Sequence, residues 1–149
     1  MSRMINTDRR LTGGAQLFSQ EKTCIDPKGR VLAGAVTVST ISTAAAATLT
    51  AAQVLGGLIL RDPAGGARTD TLPTAALLAA ALPGVVAGTA FEFTIRNTAD
   101  ASETITVAAG TGGTTSGTMT IAQNNSKRFL VVFTSASAYT VYSLGTVVH

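Results

Sequence analysis

The side chains that most often serve as acids, bases, nucleophiles or metal ligands are scarce in this chain of 149 residues, which has one histidine, one cysteine and eight carboxylates. His149 stands last in the sequence, where a frayed terminus holds no catalytic geometry, so most acid–base and triad arrangements fall away. Cys24 is alone, which leaves no intrachain disulfide and no cysteine-rich metal site. The carboxylates are spread singly, mostly beside turns or arginines, so the paired acids of glycoside chemistry have no candidate. Gly110-Thr111-Gly112-Gly113 invites comparison with a phosphate loop. No lysine follows it, and it separates two strand-like stretches instead of opening a helix, so it reads as a flexible hairpin loop. Asn124-Asn125-Ser126 fits the N-glycosylation pattern, which a tight turn explains equally well. The expectation is a protein that is not an enzyme, with no catalytic residue, no cofactor and no metal.

One stretch is specified beyond local need. Around Asp62-Pro63-Ala64-Gly65-Gly66, the residues Arg61, Asp62, Arg68 and Asp70 place two acids and two bases close in sequence. They could pair across a loop or across a subunit boundary. An exposed pair contributes at most about 1 kcal/mol, so stability alone is a weak reason for them. The reading is a loop fixed at a subunit contact, with a merely solvated loop as the alternative.

Behind these residues stands a chain whose second part is patterned for strands. Val36, Val38 and Ile41 lie among Thr and Ser, and Leu58-Ile59-Leu60 forms a short apolar run. Phe91-Glu92-Phe93-Thr94-Ile95-Arg96 alternates with the period of a strand buried on one face, as do Thr104 to Val107 and Thr118 to Ile121. Phe129 to Phe133 is apolar without a break, as in a strand covered on both faces, and Tyr139 to Leu144 closes the series. Thr50-Ala51-Ala52-Gln53 matches a capping box whose helix Gly56-Gly57 would stop after about one turn. Pro73 to Leu82 is the best helix candidate, with Pro83-Gly84 to halt it. Strands at this spacing, with joints rich in Gly, Asn and Ser, predict a mainly β body over residues 37 to 149. Its expected form is an antiparallel β-sandwich or jelly-roll-like barrel with one short helix.

Residues 1 to 36 lack any sustained period and are expected to form an extended arm. They hold six basic side chains against three acidic ones, whereas residues 37 to 149 balance five against five, so the net charge of +3 lies wholly in the arm. Arg3, Arg9, Arg10, Lys22, Lys28 and Arg30, with Phe18 among them, are therefore the candidate contacts to an acidic surface. The run is neither dense nor interleaved with aromatics, which argues against nucleic acid as the partner. No apolar core of signal-peptide length follows the first arginines, so export by that route is not expected. Ala75 to Leu82, the longest apolar stretch, is too short to span a bilayer. Charged residues make up only 13% of the chain, against about 25% in typical soluble domains. A surface of hydroxyls and small apolar groups costs less to desolvate than a charged one and suits contacts between subunits.

Three segments carry a resemblance: Arg61 to Asp70, Phe91 to Thr98, and Ile121-Ala122-Gln123-Asn124-Asn125-Ser126-Lys127. Over about residues 50 to 146 the chain resembles a family of small virion proteins of tailed bacteriophages. The likeness implies a structural component of the particle, most similar to capsid decoration, or cement, proteins. Those typically sit as trimers on the outer shell with terminal arms laid over the capsid subunits. The expected partners are then the major capsid protein and further copies of the chain, and the expected location is the capsid surface of the virion. The competing expectation is a trimeric receptor-binding module of a tail fibre or spike. A small hydrolase is the poorest reading, for want of residues.

Overall fold

In the computed structural model, residues 36–149 are described in full, preceded by the backbone of two short strands, β1 (Thr23–Ile25) and β2 (Val31–Gly34). The chain divides into two units, residues 1–35 and Val36–His149. In the first, β1 and β2 pair antiparallel, with Thr23 opposite Gly34 and Cys24 opposite Ala33. The segment expected to be extended throughout therefore contains a hairpin, whose strands are too short to register as a period in the sequence. The candidate arm contacts Arg3, Arg9, Arg10, Phe18, Lys22, Lys28 and Arg30 lie outside the described residues.

The second unit is mainly β. In chain order it comprises β3 (Thr37–Ile41), α1 (Ala51–Leu55), β4 (Gly57–Arg61), β5 (Arg68–Thr71), α2 (Ala75–Ala81), β6 (Ala90–Asn97) and β7 (Ile105–Ala108). These are followed by β8 (Gly113–Ser116), β9 (Thr120–Ile121), β10 (Asn125–Ser135) and β11 (Ala138–Val148). Six strands form one sheet in the order β3-β4-β6-β10-β11-β8, and three form another in the order β5-β7-β9.

The sheets are mixed, where the alternation had suggested purely antiparallel pairing. β6, β10 and β11 run antiparallel in succession, as do β7 and β9. β3 with β4, β4 with β6, β5 with β7 and β8 with β11 are parallel. Parallel neighbours need a crossover of a dozen or more residues, and residues 42–56 supply one between β3 and β4, with α1 inside it. Alternation reports which face a side chain takes; strand direction is set by connections that the pattern does not mark.

Both helix candidates form, so the body has two short helices where its expected form counted one. At α1 the capping box forms: the Thr50 hydroxyl accepts from the Gln53 amide at 3.2 Å, and Gln53 Oε1 accepts from the Thr50 amide at 2.8 Å. At α2 the cap is Thr74, which accepts from Leu77 N at 3.2 Å, so Pro73 lies just outside the first turn. Val54 and Leu78 turn these helices onto the core.

One core joins the buried faces of both sheets. Phe93 and Phe129 stack with centroids 5.2 Å apart, and Phe133 meets Tyr139 edge-on at 6.1 Å. Ile59, Ile95, Ile105, Val107, Ile121, Val131 and Val141 fill the space around them. The apolar run in β10 is not covered on both faces. Phe129, Val131 and Phe133 are buried, whereas Leu130 and Val132, on the other face of the six-stranded sheet, are only half-buried. Tyr142, grouped in the sequence with the core aromatics, stands on that outer face and is exposed.

Candidate functional site

The four charges around Arg61 do not form a surface cluster. Arg61 ends β4 and Asp70 lies in β5, a strand hidden in the sequence by its charged and hydroxyl residues, and the two side chains turn inward to each other. They are 0% and 1% exposed, with Nε to Oδ2 at 2.7 Å and Nη2 to Oδ1 at 3.2 Å, a two-pronged pair. The remaining guanidinium N–H groups donate to backbone carbonyls of Thr43 and Ala45, each at 2.8 Å, and of Asp62. Asp70 Oδ1 also accepts from Ala47 N at 2.7 Å. All five guanidinium donors are thus placed, and the connection from β3 to α1 is tied down by this one pair. Asp62 is half-buried and closes its own turn by accepting from Ala64 N at 2.9 Å, while Arg68, also half-buried, donates to the carbonyls of Ala44 and Ala67. In the stretch expected to be a subunit-contact loop, Arg61 and Asp70 are thus turned inside the fold, whereas Asp62 and Arg68 stay partly exposed.

The other buried polar groups follow the same rule. Lys127, 4% exposed on β10, donates from Nζ to the carbonyls of Thr118 and Thr120, each at 2.7 Å, so it holds the entry to β9. Burial pushes its pKa down from the ordinary lysine value, because the ammonium is the form that loses hydration. Asn97 donates to the carbonyls of Glu103 and Ile121 and accepts from Ala99 N, bracing the turn after β6. Glu103 Oε1 accepts from Gly65 N at 2.6 Å, and Oε2 has no hydrogen-bond partner among the described residues.

Tyr139 ties together three pieces of chain. Its hydroxyl donates to the Pro73 carbonyl at 3.0 Å and accepts from Gly110 N at 3.1 Å. Burial raises its pKa, and the Gly110 hydrogen bond opposes that rise. The glycine run beside it is explained by close approach. A Cβ on Gly110 would come within 2.3 Å of the Leu72 carbonyl oxygen, and one on Gly113 within 2.3 Å of the Tyr139 ring. The segment read as a flexible hairpin loop leads directly into β8, which starts at Gly113 and is paired with β11. Among the described residues no group of three or more His, Cys, Asp or Glu side chains could hold a metal ion.

One apolar surface left partly open to solvent is the outer face of the six-stranded sheet. The register puts Val38, Leu58, Leu60, Leu130, Tyr142 and Val147 on it, with Val38 at 53% and Val147 at 59% exposure. Glu92, Arg96 and Arg128 share this face, and Arg128 Nε lies 3.5 Å from Glu92 Oε2 with both side chains largely in solvent. The sequence carried this signal in the unbroken apolar run of β10, which was assigned to a second covering layer. Set against protein-family models, curated proteins and solved structures, the chain matches none.

Proposed function

We propose that the chain is a structural subunit of a tailed-bacteriophage particle, a capsid decoration protein that binds the major capsid protein on the outside of the head as a trimer. The observation that carries this reading is the outer sheet face. It presents apolar side chains and only three charges, while the ionisable groups best placed for chemistry are committed inside to loop carbonyls. Large apolar patches on a small protein mark surfaces meant to be covered, and a low charge density keeps the cost of covering them small. The resemblance of residues 50 to 146 to phage virion proteins supplies the particle, and the basic excess before residue 37 supplies an attraction to an acidic shell. We read the body as sandwich-like, its six-stranded and three-stranded sheets closing over the common core.

A stained gel of purified virions tests the role. A decoration protein gives a band of many copies per particle that is lost together with shell stability when the gene is removed. A band of a few copies would favour the fibre or spike module, and absence from the particle would remove both readings.

A further inference from the structure

The outer face carries a groove whose origin is a single irregularity in β11. Arg128 stands opposite Gly145 and Phe129 opposite Ser143, so Leu144 has no partner and forms a β-bulge. Beside the bulge opens a groove of about 370 Å³, with Arg128, Thr94 and Ser126 on one side and Leu144, Gly145 and Val147 on the other. Gly145 is the informative residue. A Cβ there would meet no atom within 4 Å, and its φ is not in the left-handed region, so neither packing nor backbone geometry asks for glycine. Glycine weakens a strand interior and often marks a bulge, as beside Leu144, or a place where a ligand or another backbone comes close. Here the missing side chain is what keeps the space in front of Arg128 clear.

Two further features define what would enter. β11 spans Ala138–Val148, but β8 pairs only with Tyr139 to Tyr142, so from Ser143 to Val148 its far edge has no strand beside it among the described residues. Natural edges are blunted by charge, proline or bulges; this stretch has only the bulge at Leu144, with no charge or proline, and Leu144, Val147 and Val148 are 43%, 59% and 76% exposed. The charge next to it is basic: Arg128 is held only loosely by Glu92, and Arg96 flanks the groove opposite Ser126. A second copy of β11 could pair along the edge but holds no carboxylate to offer.

We propose that this edge and groove form a docking site for an extended acidic peptide segment of another protein, which adds as a strand along Ser143 to Val148 and sends a carboxylate over Gly145 to Arg128. Backbone hydrogen bonds supply the affinity and the groove supplies the selectivity, as in other cases of strand addition. Two strand spacings, about 10 Å, separate the added strand from β10, a span that a glutamate and an arginine cover when the residue between them has no side chain. The inference stands on these residues alone and does not depend on the particle reading.

The test is fluorescence anisotropy on the full chain with a labelled, end-blocked peptide of about seven residues, alternating threonine and valine around one central glutamate. The same peptide with glutamine at the centre is the control. The glutamate peptide should bind about threefold to fivefold tighter, the gain of one partly exposed charge-assisted pair. Arg128→Gln should remove that preference. Gly145→Val should abolish binding while leaving the denaturant midpoint unchanged or higher, since valine suits a strand better than glycine. Equal binding of the two peptides, no binding of either, or undiminished binding by Gly145→Val would overturn the proposal. So would preference for an acidic oligosaccharide over the peptide, or peptide-independent self-association through the same edge.

Discussion

Replacing Arg61 tests whether a polar hub, and not the apolar core alone, holds the loops of this fold. Arg61→Ala removes five donors at once. It strands the carbonyls of Thr43, Ala45 and Asp62 and leaves the Asp70 carboxylate, 1% exposed, with only the Ala47 amide as a described partner. Breaking one side of a buried ion pair costs about 3–5 kcal/mol, mostly because the remaining charge is left without compensation. That is a large share of the roughly 5–15 kcal/mol by which a domain is stable. Arg61→Lys should recover little, since one ammonium has three donors and no planar fork with which to meet Asp70 and three carbonyls together. Asp70→Asn should cost a similar amount by leaving the guanidinium uncompensated. Because each single change strands the other member of the pair, the double variant Arg61→Ala with Asp70→Asn should cost clearly less than their sum. Urea unfolding at matched protein concentration reads all four. If the single and double variants prove additive, or Arg61→Ala shifts the midpoint no more than a surface change does, the pair is not the tether described above.

Phe129→Ala should cost about 3–5 kcal/mol, because it opens a cavity where Phe93 stacks, whereas Thr115→Ala on the exposed strand β8 should cost under about 0.5 kcal/mol; equal denaturant midpoints would break the sandwich reading. Tyr139 has a raised pKa in the fold, so its contribution is whole below the unfolded value of about 10 and is lost as pH climbs through the folded value. Tyr139→Phe should therefore be less stable than the parent at neutral pH, by about 1–3 kcal/mol for the stranded Gly110 and Pro73 groups, with the gap narrowing at strongly alkaline pH in pH-resolved unfolding. Sedimentation of the purified chain should show a trimer, and a monomer at micromolar concentration would contradict the proposed assembly. Removing residues 1 to 36 should leave the circular dichroism of the body intact and abolish co-sedimentation with bare capsids.

The strands of the last third were legible because each carries its own alternation, and Phe93, Ile95, Phe129, Val131 and Phe133 all face the core as their period requires. The caps were legible for a similar reason: Thr50 and Gln53 act over three residues of sequence. β5 was not legible. Arg68-Thr69-Asp70-Thr71 has no apolar residue, and what buries Asp70 is Arg61 nine positions earlier, a relation that only folding creates. β8 was hidden by the opposite means. The glycine run that leads into it signals a turn, and the reasons for Gly110 and Gly113 lie in the carbonyls of Leu72 and Pro73 and in the Tyr139 ring, all distant in sequence. The outer face was misjudged because an unbroken apolar run looks the same whether its second side meets a layer of the same chain or is left uncovered.

That ambiguity bears on how the body uses its few charges. Of the ten charged residues between positions 37 and 149, four are buried: Arg61, Asp70, Glu103 and Lys127. A protein meant to stay monomeric gains most from keeping its charges outside, where they hold neighbours apart and cost nothing to hydrate. Here they are used inward, as tethers that fix long connections, while Leu130, Val132, Tyr142 and Val147 line an outer sheet face guarded only by Glu92, Arg96 and Arg128. The loops so fixed bring β4 and β5 to their places and need no partner to order them. The face left over is the part of the fold that water serves badly. On the reading proposed above, a stable body with such a face gains by being covered, and its three charges, two of them basic, bias that cover toward acidic neighbours.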